Sequence, residues 1–211
     1  MENIKQNILD ASRKLFNEAG FSQVTIRMIA NKLEISSGNL NYHFRKREDI
    51  LEALYFEMVA IFDERVQRLG DQPISLKLMK ADIQTSMKRM VDYRFFWSDL
   101  YYLLKSNDKI KHHFIKVKAD RINGYKMVFD FLMDLKTLKK PSFAQEYPFL
   151  IDRMIDYSNT WLYASELYEV KKNSVETVEV ASFQLLSMLY PYLTASGHQD
   201  FQNLFPGFML R

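Results

Sequence analysis

The sequence predicts an all-α protein, and three observations support that fold class. Apolar residues recur every three or four positions along most of the chain, which is the period of an amphipathic helix. The 211 residues include only six Gly and five Pro, so few positions interrupt a helix. Cysteine is absent, which excludes a disulfide framework as the source of stability. A hydrophobic fraction of 47% is enough for a conventional buried core.

The first third of the chain contains four predicted helices. They cover residues 3–19, 26–33, 37–43 and 47–69. The first ends at Gly20, a residue type common at helix C-termini. Thr25 and Ser36 stand just before the second and third helices, where their hydroxyls can accept a hydrogen bond from an unpaired backbone N–H. The fourth helix begins with Glu48 and Asp49, whose charges complement the helix dipole.

The rest of the chain is also predicted to be helical. Its helices cover residues 75–92, 94–105, 108–138, 146–170 and 174–195. We expect a kink near Asn123–Gly124. We also expect Pro191 to kink the last helix or end it early, because proline has no backbone N–H. The aromatic tail from Gly197 onward is expected to fold back onto the body of the protein.

Residues 25–47 are predicted to form a helix-turn-helix, two short helices joined by a tight turn. Leu40 and Phe44 lie four residues apart and would be buried together, which leaves small or planar hydrogen-bonding groups facing outward, as base edges require. Five Arg and Lys oppose Glu34 alone in this segment, whereas the whole chain carries only +3, so the segment concentrates the charge that phosphates attract. The candidate DNA-binding residues are Thr25, Arg27, Ser36, Ser37, Gly38, Asn39, Asn41, Tyr42, His43, Lys46 and Arg47.

The first ~55 residues resemble the N-terminal DNA-binding domain of the TetR family of bacterial regulators. The matching residues are Ala11, Leu15, Phe16, Gly20, Phe21, Thr25, Ile29, Ala30, Ile35, Ser36, Gly38, Leu40, Tyr42, His43, Phe44, Glu48 and Leu51. The chain departs from the family pattern at Leu33–Glu34, where a small residue and Gly are usual. It also has Asn41 where Tyr is usual and Arg47 where Lys is usual. Glu34 must then adopt a turn conformation that Gly adopts more easily.

The break Gly70-Asp71-Gln72-Pro73 is predicted to separate two domains. We expect residues 1–47 to form the three-helix DNA-binding domain and residues 70–211 to form a larger helical domain. The helix 47–69 connects these two domains. The resemblance implies that the larger domain binds a ligand in an internal pocket. It also implies a homodimer through the last two long helices, 146–170 and 174–195. The later of these has an apolar stripe suited to helix packing, formed by Val178, Ala181, Leu185, Met188 and Leu189.

Aromatic and arginine side chains in the larger domain are candidates for binding an apolar or amphipathic small-molecule effector. The candidate ligand-binding residues are Arg94, Trp97, Tyr101, Arg121, Tyr125 and Trp161. The alternative is that the aromatic residues form ordinary core and that the arginines reach the surface or pair with nearby aspartates.

No pattern in the sequence indicates an enzyme, a cofactor or a metal site. The nucleotide-binding glycine motifs and the G-x-S-x-G nucleophile motif are absent. His112 and His113 are adjacent, so they lack the four-residue spacing of a helical metal site. With neither a signal peptide nor a run of eighteen apolar residues, we expect a cytoplasmic protein without a membrane partner.

Three functions are therefore compared. The first is a homodimeric repressor that a small molecule releases from a pseudo-palindromic operator. The second is a DNA-binding regulator without a small-molecule pocket, controlled by a protein partner or constitutively bound. The third is an enzyme or carrier on a helical scaffold, which the lack of a catalytic constellation disfavours.

Overall fold

The computed structural model describes residues 2–69, 72–168 and 174–208, and these residues form α-helices joined by short loops and 3-10 turns. The helices are α1 (Glu2–Ala19), α2 (Ile26–Lys32), α3 (Ser37–His43), α4 (Arg47–Leu69), α5 (Leu76–Asp92), α6 (Arg94–Ser98), α7 (Leu100–Ser106), α8 (Asp108–Asp134), α9 (Glu146–Leu167), α10 (Ser174–Ser187) and α11 (Ala195–Leu204). The 3-10 turns are Phe21–Gln23, Tyr190–Tyr192 and Pro206–Phe208. The predicted all-α fold class is confirmed.

The chain divides into two compact units. One holds Met1–Gly70 with Asp92–Lys111, and the other holds Asp71–Val91 with His112–Arg211. The expected boundary near residue 70 coincides with one of these divisions. Residues 92–111, in contrast, belong to the same unit as the helix-turn-helix. The assignment of a DNA-binding and a regulatory role to separate domains stays a prediction.

Aromatic side chains form the core of the first unit. The Phe16 ring lies 5.1 Å from that of Phe21 and 5.2 Å from that of Phe95, with all three side chains buried. The Phe96 ring lies 5.1 Å from that of Tyr55 on α4. These contacts join α1, α4 and α6, so Phe95 and Phe96 serve as core here.

The predicted helix 94–105 is wrong in one respect, because the chain breaks at Asp99 into α6 and α7. Three consecutive side chains of α6 are buried, Phe95 to Trp97, which a single helix lying on a surface does not achieve. The break lets α7 bury Leu103 while Tyr101 and Tyr102 remain exposed. Burial of the aromatic run therefore overrides the helical period of the sequence.

In the second unit, α8 ends at Asp134 and not at residue 138 as predicted. Lys136 has a φ of 57°, and the backbone N–H groups of Thr137 and Leu138 both donate to the Leu132 carbonyl, at 2.9 and 3.0 Å. Leu138 then pairs with Leu193 in an isolated antiparallel bridge. This long-range pairing removes residues 135–138 from the helix. The helix itself runs without interruption through Gly124, where a kink was expected.

The last predicted helix ends early, as expected from Pro191: α10 stops at Ser187. Helix α11 was not predicted from the sequence. Its N-cap is Thr194, whose hydroxyl accepts a hydrogen bond from the Gly197 N–H at 3.2 Å. The tail folds back as predicted, since Phe201 and Phe205 are buried and the Phe208 ring stacks 4.2 Å from that of Phe183 on α10. Helix α9 was predicted to reach residue 170, and residues 169–170 lie outside the described residues.

Candidate nucleic-acid interface

Helices α2 and α3 begin at capping hydroxyls. The Thr25 Oγ1 accepts from the Met28 N–H at 3.2 Å, and the Ser36 Oγ accepts from the Asn39 N–H at 3.1 Å. Each hydroxyl satisfies a backbone donor that the helix leaves unpaired. The two helix starts predicted from the sequence are therefore confirmed, and the same local chemistry orients α3.

The turn between α2 and α3 depends on Glu34, whose φ is 56°. The Glu34 N–H donates to the Asn31 carbonyl at 3.2 Å, and the Ile35 N–H donates to the Ala30 carbonyl at 3.1 Å. This pair of hydrogen bonds is a Schellman motif, which normally places Gly at the left-handed position. The expectation that Glu34 adopts a glycine-like conformation is confirmed.

One face of α3 is buried and the other is exposed. Leu40 and Phe44 are 0% and 5% exposed, as their four-residue spacing predicts. Tyr42 is 77% exposed, and its ring meets the half-buried His43 ring edge-on at 5.2 Å. The other predicted DNA-binding residues that are exposed in this segment are Thr25, Arg27, Ser36, Ser37, Gly38, Asn39, Asn41 and Lys46. The structure thus exposes most of the predicted DNA-binding residues on α2, α3 and the residues beside them, and leaves His43 and Arg47 half-buried.

Arg47 makes several contacts within the protein, and the phosphate contact suggested for it stays a prediction. Its Nη1 donates to the carbonyl oxygens of Phe21, Ser22 and Val24, at 3.0, 3.1 and 2.9 Å. Its guanidinium also lies 4.2 Å from the centre of the Phe21 ring, and its Nη2 is 3.4 Å from a carboxylate oxygen of Glu48. Arg47 therefore fastens the loop before α2 to the start of α4.

Three of the predicted ligand-binding residues lie in the first unit. Arg94 is exposed, and its Nε donates to the Asn17 carbonyl at 3.1 Å. Trp97 is 7% exposed within the aromatic core, whereas Tyr101 is 80% exposed on α7. These side chains thus have three different environments.

The other three lie in the second unit. Arg121 on α8 donates to the Asn159 side-chain oxygen at 2.8 Å and to the Ser158 hydroxyl, both on α9. Trp161 is buried and its Nε1 donates to the Met90 sulfur at 3.4 Å. The Tyr125 ring lies 6.1 Å from the ring of Phe129, its neighbour on α8.

A surface pocket of about 360 Å³ lies along α8. It is lined by Met127, Asp130, Phe131 and Asp134, and none of the six predicted ligand-binding residues is among them. Among the described residues, no three His, Asp or Glu side chains cluster closely enough to hold a metal ion. In that same part of the chain, no helix is both long and apolar enough to cross a membrane.

Two family profiles match the chain. Residues 8–54 match the profile of bacterial regulatory proteins of the tetR family, and residues 57–201 match a TetR profile described as a bacterial transcriptional repressor. The chain is 26% identical over 121 residues to the HTH-type transcriptional regulator BetI of Proteus mirabilis strain HI4320, covering 50% of this chain and 60% of that protein. The chain therefore spans less than two thirds of the length of this relative.

Solved structures show the same fold. A TetR-family transcriptional regulator from Marinobacter aquaeolei VT8 superposes with a TM-score of 0.86, at 25% identity and 98% coverage of both chains. A transcriptional regulator from Saccharomonospora viridis, in complex with choline, superposes with a TM-score of 0.68 at 17% identity, covering 89% of this chain and 97% of that one. The profiles describe transcription factors and not enzymes. Together the profiles cover the helix-turn-helix and most of the remaining chain, and the chain belongs to the TetR family of bacterial transcriptional repressors.

Proposed function

We propose that the protein is a sequence-specific DNA-binding repressor, that it works as a homodimer, and that a small molecule releases it from a pseudo-palindromic operator. The single observation that carries the proposal is the exposed polar face of α3. The Ser36 cap and the buried side chains of Leu40 and Phe44 fix the orientation of this helix. A protein that acts on DNA works where the DNA is, so the proposal places it in the cytoplasm.

In this proposal α3 enters the major groove. Asn39 and Asn41 offer amides that can pair bidentately with adenine, a contact worth about 1–3 kcal/mol of discrimination. Tyr42 and His43 approach bases or the adjoining backbone, and Arg27 and Lys46 hold phosphates, which position the helix without reading sequence. Arg47 holds the loop before α2 against the start of α4 through its hydrogen bonds to backbone carbonyl oxygens.

The dimer is proposed to form through α9 and α10. Helix α9 has an exposed stripe on one side, spaced three or four residues apart, that consists of Phe149, Arg153, Asp156, Thr160, Tyr163 and Leu167. The stripe combines apolar groups with one charge of each sign. A two-fold axis can therefore pair Arg153 of one copy with Asp156 of the other. Such a dimer would place two recognition helices in successive major grooves, about 34–36 Å apart.

The apolar stripe predicted for α10 does not supply this interface. Val178, Ala181, Leu185 and Leu189 are at most 4% exposed within the single chain. They pack inside the second unit, so the partner would meet the other side of α10.

An apolar or amphipathic effector is proposed to act by binding one conformation of the dimer better than the other, because a ligand shifts an equilibrium only by its differential affinity. Support for a small-molecule effector comes from the Saccharomonospora viridis regulator of the same fold, whose structure contains choline. Arg121, which donates to the Asn159 side-chain oxygen on α9, is the arginine of the second unit that we propose orients such a ligand.

A second candidate is a regulator that no small molecule controls and that responds to a protein partner. The burial of Trp97 and Trp161 as core side chains favours it.

DNA binding is tested by fluorescence anisotropy with the duplex upstream of the protein's own gene and a scrambled duplex of the same length. We expect preference for the upstream duplex, and a loss of at least about tenfold for Asn41→Ala/Tyr42→Ala, since each base contact contributes about 1–3 kcal/mol. The matched control Asn203→Ala/Tyr168→Ala changes exposed residues of α11 and the end of α9. Equal binding by both double variants would show that α3 does not read the operator.

A further inference from the structure

We propose that exposed side chains of α7 and the start of α8 form a second DNA-contacting surface, which binds backbone phosphates flanking the operator. This α7–α8 surface consists of Tyr101, Tyr102, Lys105, Lys109 and Lys111. The inference rests on the proposed DNA-binding function and extends the contact beyond the helix-turn-helix.

The composition of the surface suits phosphate. Tyr101 and Tyr102 are 80% and 54% exposed, Lys105 and Lys111 are exposed, and the Lys109 side chain is 64% exposed. Tyrosine hydroxyls and lysine ammonium groups are common donors to DNA phosphates. Residues 101–111 hold three lysines and Asp108, and Lys109 is paired with Glu52, so Lys105 and Lys111 supply the positive charge available to a phosphate.

The start of α8 is fastened to α4, the helix that follows the recognition helix. The Glu52 carboxylate on the second turn of α4 accepts hydrogen bonds from the Lys109 Nζ at 2.8 Å and the Asn107 side-chain amide at 3.0 Å. The Asn107 side-chain oxygen in turn caps α8 by accepting from the Ile110 N–H at 3.0 Å. The α7–α8 surface is therefore held in a fixed place against α4.

Glu52 also lies within the electrostatic reach of Lys46, one of the proposed phosphate-binding residues. The pKa of the Glu52 carboxyl is lowered, first by the hydrogen bonds from Lys109 and Asn107 and further by the charges of Lys109 and Lys46. Lys46 precedes Glu52 by six residues, or roughly 9 Å along a helix axis. The Glu52 carboxylate, which binds Lys109 directly, thus also interacts with the charge of a lysine that follows the recognition helix.

A phosphate backbone fits this surface better than a protein partner does. Leu103 and Ile110 point inward, since both are 0% exposed, and Leu104 is half-buried. A protein-docking surface has an apolar, water-excluding centre, whereas this one presents ammonium and hydroxyl groups. Lysines that bind phosphates hold DNA without reading its sequence, so we assign this surface to the DNA backbone.

The experiment compares two duplexes across a salt series, one trimmed to the operator within the upstream DNA and one extended on each side by about one helical turn. The variant is Lys105→Gln/Lys111→Gln, which leaves the Lys109–Glu52 pair intact. We expect its salt slope on the extended duplex to be smaller by about 0.9 for each phosphate that the variant no longer binds, with unchanged binding to the trimmed duplex. The charge-preserving Lys105→Arg/Lys111→Arg should behave as the parent protein does.

The matched control is Lys126→Gln/Lys140→Gln, which removes two exposed lysines of the second unit. The inference is overturned if Lys105→Gln/Lys111→Gln retains the parental slope on the extended duplex, or if the control lowers the slope equally. If the parent protein does not prefer the upstream duplex over a scrambled one, the proposed function fails, and this surface fails with it. Circular dichroism of each variant checks that the helices remain folded.

Discussion

The geometry of a single guanidinium organises the loop that precedes the helix-turn-helix. Arg47 Nη1 reaches three carbonyl oxygens that lie 23 to 26 residues earlier in the chain, while its planar group covers the Phe21 ring. Lysine has a single point charge on a flexible stem and cannot make the same planar, forked contact. The structure therefore explains why residue 47 is arginine and not lysine, although both side chains carry a positive charge.

Replacing Arg47 tests that role. We expect Arg47→Lys and Arg47→Ala each to lower the free energy of unfolding by about 2 kcal/mol, because the carbonyl oxygens of the loop are left without their charged hydrogen-bond donor. Urea denaturation measures the effect, with the exposed Arg45→Ala as the control. A stable Arg47→Lys variant would instead favour a simple phosphate contact for Arg47.

Glu34 offers a second test at the same scale. An L-residue in the left-handed region is strained by roughly 1–2 kcal/mol, and Gly relieves that strain while adding entropy to the unfolded chain. Glu34→Gly should therefore raise the free energy of unfolding by about 0.5–1 kcal/mol. Glu34→Gln removes the same charge and keeps the strain, so it should leave thermal stability close to that of the parent. If both variants are stabilised equally, charge and not backbone strain is the cause.

At the scale of elements, the segment after α8 is joined closely to the start of α11. The Thr194 N–H donates to the Thr137 carbonyl at 3.1 Å, and the Lys139 N–H donates to the Tyr192 carbonyl at 2.9 Å. A Cβ placed on Gly197 would lie only 2.3 Å from the Thr137 carbonyl oxygen. The helix can approach this backbone closely only because residue 197 has no side chain.

Two glycine substitutions with opposite outcomes follow from this contact. We expect Gly197→Ala to destabilise the protein by about 1–3 kcal/mol, since the added methyl group overlaps backbone that cannot move freely. Gly124→Ala, in the middle of α8, meets nothing within 4 Å and should stabilise by up to about 1 kcal/mol through helix propensity. Thermal unfolding of the two variants measures both effects. A neutral Gly197→Ala would mean that α11 can shift away from residue 137.

At the scale of the whole molecule, the proposed dimer depends on the exposed stripe of α9. Tyr163 is 47% exposed and Phe149 53% exposed, and both would be covered by a second copy. Tyr163→Asp would bury an unpaired charge among the apolar groups of this interface, so it should convert a dimer to a monomer. Analytical ultracentrifugation measures the mass. The control Ile115→Asp, at a 59% exposed position of α8, should leave the mass unchanged. If only Ile115→Asp yields a monomer, the dimer interface lies on α8 and not on α9.

Much of the candidate site followed from local sequence patterns. The caps at Thr25 and Ser36, the turn at Glu34 and the buried pair Leu40–Phe44 all depend on residues within a few positions of one another. Short-range rules of helix geometry are therefore enough to place the face of α3. The hydrogen bonds of Arg47 could not be predicted from local patterns, because the carbonyl oxygens that accept them lie in another part of the chain.

The sequence by itself determined the helical fold class, the helix-turn-helix and the polar face of α3, because helix periodicity and capping act between neighbouring residues. The tertiary structure alone decided that α6 and α7 are separate helices, that α8 ends at Asp134 and that Val178 and Leu185 face the interior of the chain. It also decided that Lys109 lies beside Glu52. These features depend on which distant segments meet, and side-chain burial between them outweighs the local preference of each segment.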